Sequence, residues 1–517
     1  MKFKPYSQEE LELFPVDIYS EIPKNDICRF INDIVNALDL RELEAMYTEE
    51  GNVAYHPRMM LKVLFYSYYN GIFSSRRIAK ELERDIFYWY LSARQRPDFR
   101  TIANFRRRHI GQLKGLFKQI VKMCLSLGIA RVRKVAIDGT KIKANASRDK
   151  FRDREWLDKR EKEEIEAIEE AFKKMDEIDE EEDRIFGVDK RGDELPEDLS
   201  DPRERIRKIR ELKKKMEEED KRQINQTDTD CGLMKTRKGF EASYNCQTVV
   251  DTESQIILTQ DVINSPNERG QICTNIEELI KDTQLKPEIL LADAGYLDGE
   301  DIQFLDREGI IGLIPDRELK EIKKSREGIV GEGEKFKKDK FKYDSENDVY
   351  ICPEGKKLYR ETQKRQKVKR KNGLVVEYVQ YRCRECKGCE NREICCRGKI
   401  GRKITRYVDE DLREKMYNLI RSDWGYEEYK ERMYTIEPVF GNIKYNKGFR
   451  EFRLRGLEKV KGEYSLMAIV HNIEKMYKKM SGNNDKNTKI SVMKSKFPLF
   501  CMFLLYKTIY KNFSVRL

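Results

Sequence analysis

Histidine is nearly missing from this chain. There are three in 517 residues, His56, His109 and His471, too dispersed to form a site. His471, in "IVHNIEKM", reads as a packed helix residue. Long apolar runs are also missing. The most apolar stretch, "FPLFCMFLLY" at 497–506, is far short of the roughly 20 residues that span a bilayer, so it reads as a buried helix or strand. The opening "MKFKPYSQEELELF" lacks the apolar core of a secretory signal, so the expectation is a cytoplasmic protein with no membrane partner. Twelve cysteines in so long a chain do not make a disulfide framework, and six of them fall in one segment, as thiols held for metal or structure would.

What is present is charge. Lys and Arg total 104 against 93 acids, a net +11, and 38% of residues are charged. That balance favours a polyanionic partner without demanding one. The length calls for two or more domains. Residues 1–130 read as a helical N-terminal domain. "RMMLKVLFYSYYNGIFSSRRIAKELERDIFYWYLS" carries apolar residues at helical spacing, with Ser74 or Ser75 as an N-cap, and Thr101 is expected to cap "IANFRRRHIGQLKGLFKQIVKMCLSLG". Short helices ending in a basic one suit a helix-turn-helix DNA binder, and equally a bundle whose arginines are simply solvated.

From 131 the pattern changes. A β-branched run, Val132 to Ile137, ends at Asp138-Gly139. A charged block at 150–225 alternates acids and bases at helical spacing and reads as exposed helices, a coiled hairpin inserted in the domain. "FEASYNCQTVVD" and "SQIILTQDVI" form a hairpin about Thr252–Glu253, "NERGQICTNIEELIKDTQL" a helix, "PEILLADAGYLDGED" a buried strand ending at Asp293, and "GIIGLIPD" another strand. This is an α/β plan with a mixed sheet, 131–480, interrupted again at 318–405 by a basic, cysteine-rich insertion. "LRGLEKVKGEYSLMAIVHNIEKMYKKM" closes it as an amphipathic helix, and 481–517 is a tail.

Three acids fall at matching places: Asp138 and Asp293 at strand ends, Glu437 at the start of the helix in "YTIEPVFGNIK". Each alone has an ordinary explanation. Asp-Gly is a stock turn, Asp293 can cap a turn with Gly295, and an acid before proline suits a helix start. Together they point to chemistry, because ligands collect outside the carboxyl ends of strands in an α/β sheet. Clustered carboxylates need a cation, and oxygen-only donors suit Mg²⁺ or Mn²⁺. Phosphate contacts are expected from Arg76 and Arg77, from Arg106, Arg107 and Arg108, and from Lys447 and Arg450, with Phe449 and Phe452 interleaved.

The chain resembles the DDE-type transposases of bacterial insertion sequences, whose catalytic core is RNase H-like. The resemblance runs from "PVDIYSEIP" to "AIVHNIEKM". It is closest in "YHPRMMLKVLFYSYYNGIFSSRRIAKELERD", "RPDFRTIANFRRRH", "KVAIDGTKIKANAS", "YNCQTVVD", "LLADAGY" and "IEPVFGNIKYNKGFREFRLRGLEKV". It implies Asp138, Asp293 and Glu437 as the catalytic, metal-holding acids, and Tyr429, Arg432 and Lys444 as their DNA-contacting companions. Four residues separate Arg432 from Glu437 where the usual signature has three. The implied activity is cleavage at the ends of the element and joining of the 3′-OH to target DNA, by two-metal in-line phosphoryl transfer. The implied partner is double-stranded DNA, bound by a homo-oligomer. A nuclease without strand transfer and a non-catalytic DNA-binding relative are the alternatives; a tyrosine recombinase would need an Arg/His set that the tyrosines lack. In the insertion, Cys352, Cys383, Cys386 and Cys389 are candidate ligands of a structural Zn²⁺, with unligated thiols the open alternative.

Overall fold

In a computed structural model the described residues are 17–47, 53–186, 197–316, 322, 336–362, 365–369, 375–396, 398 and 400–481. The expected tail beyond Ser481, with the apolar stretch 497–506, lies outside them.

The core sheet starts with a lead strand, Lys134–Lys143. Val135, Ala136 and Ile137 are all fully buried, as in a central strand covered on both faces. The long strand Gly239–Asp251 runs antiparallel to it, with Val135 opposite Asp251 and Lys143 opposite Ser243. The return strand Ile257–Ile263 pairs antiparallel with the far edge of the long strand, completing the expected hairpin. On its other side the lead strand pairs in parallel with Ile289–Leu291, which pairs in parallel with Ile311–Leu313. Helices Gln271–Thr283 and Gly299–Glu308 make the two crossovers. The strand Gly232–Thr236 also pairs antiparallel with the start of the long strand, so four antiparallel strands and two parallel ones, with helices flanking, form an α/β, RNase H-like mixed sheet.

The lead strand does not stop at Ile137. It continues six residues, because Thr140 and Ile142 keep alternate side chains buried against the long strand. Asp138-Gly139 is therefore mid-strand, opposite Thr248 and Gln247, and is not a turn.

The all-α N-terminal region contains Ile27–Ala37, Pro57–Tyr69, Ser75–Arg84, Ile86–Ser92, Phe99–Arg108 and Leu113–Ser126. Local chemistry sets their starts: Asp26 accepts from Cys28 N–H, His56 accepts from Arg58 N–H ahead of Pro57, and Asp98 accepts from Thr101 N–H. Asp98, not Thr101, is thus the cap of the basic helix.

These helices and the sheet share one continuous buried cluster. What joins them is the helix Leu457–Ser481, expected to be amphipathic but buried almost all round. On one side Tyr464 and Thr248 share a hydroxyl hydrogen bond of 2.7 Å, and Asn472 pairs with both backbone groups of Ile257 at 2.8 Å. On the other side Tyr68 donates to Glu463 at 3.2 Å. Gly462 permits the close approach, since a Cβ there would meet the Ile110 carbonyl at 2.4 Å.

The two insertions have small cores of their own. The charged block forms paired helices, Arg154–Phe186 and Glu197–Glu218, with Leu157, Ile209, Met216 and Ile224 buried between them and their base. Interhelical ion pairs such as Arg205–Glu164, 3.0 Å, and Arg210–Glu161, 2.6 Å, line the seam. The cysteine-rich insertion is a six-stranded sheet around Phe341, Tyr350, Leu358, Tyr381, Cys383 and Ile404.

Candidate functional site

Ala136 on the lead strand lies opposite Leu291 in the parallel pair, so two residues further along each chain Asp138 and Asp293 are brought side by side. Asp138 accepts from its neighbour Gly139 N–H at 2.8 Å. Asp293 sits just past its strand and accepts from Gly295 N–H at 2.7 Å, capping the short turn Ala294–Tyr296. Its ordinary capping role is therefore real, and it coexists with the pairing to Asp138.

Arg432, on the helix Asp423–Thr435, bridges the two acids. Its Nη2 lies 2.8 Å from Asp138 Oδ2 and 3.6 Å from Asp293 Oδ2. Its Nε is buried without a hydrogen-bond partner. Burial pushes the Asp138 carboxyl up to about 6; Arg432 opposes this, while the charges of Asp293 and Glu437 add to it. Glu437 opens the short helix Glu437–Gly441, with Pro438 in its first turn. It is exposed, and among the described residues nothing donates to its carboxylate.

Tyr429 is buried, and its phenol is pushed up to about 12 by that burial with Arg432 nearby. Lys444 lies two turns past Glu437, but the chain widens to a π-helix over Asn442–Asn446. Its Nζ donates to the Lys141 carbonyl at 2.7 Å, tying this helix to the lead strand.

A fourth acid, which sequence reasoning missed, lies in this group. Glu268 precedes the helix Gln271–Thr283, and its carboxyl is pushed up to about 7 by burial and by the charges of Asp293 and Asp138. Its own context, "SPNERGQ", carries no signal of this. The glycines that follow the two aspartates do carry one.

The expected phosphate contacts divide. Arg76, Arg77, Arg107, Arg108 and Arg450 are exposed. Arg106 and Lys447 are not available, and those two expectations are corrected. Arg106 is buried and donates to Tyr68 Oη at 3.0 Å and to the Phe73 carbonyl at 2.8 Å. Lys447 is buried, 2.8 Å from Glu474 and 3.8 Å over the Tyr69 ring. Phe449 and Phe452 are core residues that pack edge-on with each other and with Phe73, instead of lying between phosphate contacts.

In the insertion, Cys352, Cys383, Cys386 and Cys389 line one small cavity of about 20 Å³, together with Cys395 and Cys396. Backbone N–H groups point at two of the sulfurs, Lys356 N at Cys352 (3.2 Å) and Arg402 N at Cys386 (3.3 Å). Burial pushes the Cys383 and Cys395 thiols up to about 11. Among the described residues, no three His, Cys, Asp or Glu side chains stand ready to hold a metal ion. In the acid site the reason is visible: a guanidinium stands between the two aspartates.

The acids thus gather beyond the parallel strands of an RNase H-like sheet. Residues 351–477 match the family described as "Transposase DDE domain", and residues 16–108 the one described as "Transposase domain (DUF772)". The two matches, each over less than half of the chain, support a DDE-type transposase of an insertion sequence. The first match contains Glu437, Lys444 and the cysteine cluster; Asp138 and Asp293 lie outside both. No curated protein and no solved structure matches the chain. No helix among the described residues is long and apolar enough to cross a membrane.

Proposed function

We propose that the chain cuts the ends of its insertion sequence and joins the freed 3′-OH to target DNA, with Asp138, Asp293 and Glu437 as catalytic acids. The observation that carries this reading is the shared guanidinium. Two aspartates from separate strands converge on Arg432 Nη2, and the charge of Glu437 is felt at the same carboxyl. Carboxylates brought this close require a positive charge between them, and the donor set is oxygen only, which fits Mg²⁺ or Mn²⁺. Bound by these acids, the ions would activate the attacking hydroxyl and stabilise the leaving oxygen of an in-line displacement.

The chain's own groups do the rest. Asp138 and Asp293 are fixed by backbone N–H donors and by strand register, so the site is held before DNA arrives. Arg432 occupies with its own charge the place between Asp138 and Asp293 where the acids would hold a divalent ion. Lys444 orients the helix of Glu437 against the lead strand. Exposed Arg76, Arg77, Arg107, Arg108 and Arg450 contact the DNA backbone. The cysteines would be the ligands of a structural Zn²⁺ if one binds, with Cys395 lining the same cavity as Cys389.

The test is Asp293→Asn on element-end DNA with Mg²⁺, alongside a strand-transfer assay using a labelled 3′-OH end. Lost cleavage with retained DNA binding is expected. Unchanged cleavage removes the assignment, and cleavage without joining in the wild type marks a nuclease.

A further inference from the structure

We propose that Glu268 is a fourth carboxylate of the acid site, a divalent-cation ligand acting with Asp293, and that the amide oxygen of Asn245 belongs to the same donor group. The proposal rests on the reading of this site as a cation centre.

Two glycines locate Glu268. A Cβ at Gly139 would lie 2.6 Å from Glu268 Oε1, and one at Gly295 would lie 2.8 Å from Glu268 Oε2 and 2.9 Å from Asp293 Oδ1. The Glu268 carboxylate thus lies between the two backbone segments that follow the aspartates, one oxygen toward each. Neither glycine has the positive φ that turns demand, so the space for this carboxylate is what they provide. Asp138-Gly139 and Asp293-Ala294-Gly295 are then two walls of one acid pocket.

The surrounding polar atoms are incomplete without a further group. Asn245 and Gln247 are fully buried on the long strand, and Asn245 Oδ1 and Gln247 Nε2 have no hydrogen-bond partner. Both atoms, and Glu268 Oε1, crowd the place a Cβ at Gly139 would take, at 2.7 Å for Asn245 Oδ1 and 2.6 Å for Gln247 Nε2 and for Glu268 Oε1. The contact made to Glu268 is from Asn245 Nδ2 at 3.5 Å, at the limit of a hydrogen bond. Buried polar atoms left without a partner are costly and rare, and a bound ion is one way such atoms are satisfied. Arg432 neutralises Asp138 and Asp293, but among the described residues no cation pairs with Glu268. An unpartnered amide oxygen and an unpaired carboxylate oxygen gathered at one place are the donors that a cation would satisfy. Oxygen donors of these two types are those that Mg²⁺ and Mn²⁺ take.

The competing explanation is a neutral Glu268 whose proton serves Asn245, and Glu268→Gln separates the two. Glutamine keeps the shape and a donor but removes the charge. Measured by electron paramagnetic resonance of free Mn²⁺ on the full-length chain, Glu268→Gln should bind Mn²⁺ about 10–100-fold more weakly than the wild type, the loss typical of a removed support in a metal site. Its melting temperature in EDTA should be unchanged. Unaltered Mn²⁺ affinity would overturn the proposal. Asp138→Asn and Asp293→Asn run in parallel: if these also leave Mn²⁺ binding intact, the cation-centre reading itself has failed. That unchanged melting temperature guards against misfolding of the variant. With Fe²⁺ in place of Mn²⁺ and added hydrogen peroxide and ascorbate, hydroxyl radicals formed at the bound iron should cut the backbone near 138, 293 and 268, and no cut near 268 would refute the role.

Discussion

Arg432→Gln tests the electrostatics of the site directly. The guanidinium spans Asp138 and Asp293, and its side chain is 12% exposed against 15% and 38% for the two acids. Removing one partner of a fully buried pair costs about 3–5 kcal/mol. Here the Asp293 end is open to solvent, so screening reduces the loss to about 2–3 kcal/mol. With the opposing charge gone, the Asp138 carboxyl should rise further above its present value near 6. Unfolding entropy of about 2.1 cal/mol/K per residue over a chain of this length converts the loss to about 2–3 °C in the melting temperature. The deficit should appear in EDTA and disappear with Mn²⁺, because a divalent ion at about 100 times its dissociation constant stabilises by about 2.7 kcal/mol. Differential scanning calorimetry with and without Mn²⁺ reads both arms. A variant as stable as wild type in EDTA, or one equally destabilised in both conditions, would refute the idea that Arg432 stands where a cation belongs.

Three other measurements bear on the rest of the molecule. Burial alone would raise the Glu474 carboxyl, but hydrogen bonds from Lys447, Lys478 and Asn442 hold it down to about 2. Its stabilisation is thus present above about pH 4.5 and is lost as pH falls toward 2. Glu474→Gln should cost about 3 kcal/mol in urea unfolding at pH 7, with no change in the salt dependence of DNA binding. His471 is pushed down to about 4 by burial, against the hydrogen bond to the Gln255 carbonyl. The unfolded chain takes a proton below about 6.5 that the folded one refuses, so stability should fall by about 3 kcal/mol between pH 6.5 and 4. His471→Gln should flatten that part of the profile. Finally, Ala at Arg76, Arg77, Arg107 or Arg108 should lower the salt slope of DNA binding by about 1 for every phosphate left without its arginine. Arg106→Ala should instead lower stability with the slope intact, since that guanidinium is used inside the fold.

Much was legible without coordinates. The hairpin from Gly239 to Ile263, the buried strands at 135–137 and 289–291 and the charged helices after 150 follow from alternation, turn chemistry and helical spacing. These are properties of a few neighbouring residues, and neighbours are what a sequence displays. The failures have one cause. Arg106 differs from Arg107 and Arg108 in burial, and Lys447 from Arg450, yet in the text each is one more cation in a basic run. The Leu457–Ser481 helix carries polar residues that look solvent-facing, but Glu463, His471 and Asn472 meet partners more than 200 residues away, or backbone brought near by folding.

The same division runs through the acid site. Asp138, Asp293 and Glu437 were visible as acids at element edges, because local pattern marks where strands and helices begin and end. That Asp138 lies inside its strand was decided by pairing with the long strand, and that Asp293 is its neighbour was decided by parallel register. Glu268 was invisible, since nothing beside it in the chain explains it; two glycines, one on the lead strand far before it and one just beyond the next strand, do. Sequence alone determined which residue types this chain has available for chemistry and the secondary structure that carries them. Tertiary structure decided which charges are left facing one another, because the energy of a carboxylate depends on what surrounds it in space and not on what precedes it in the chain.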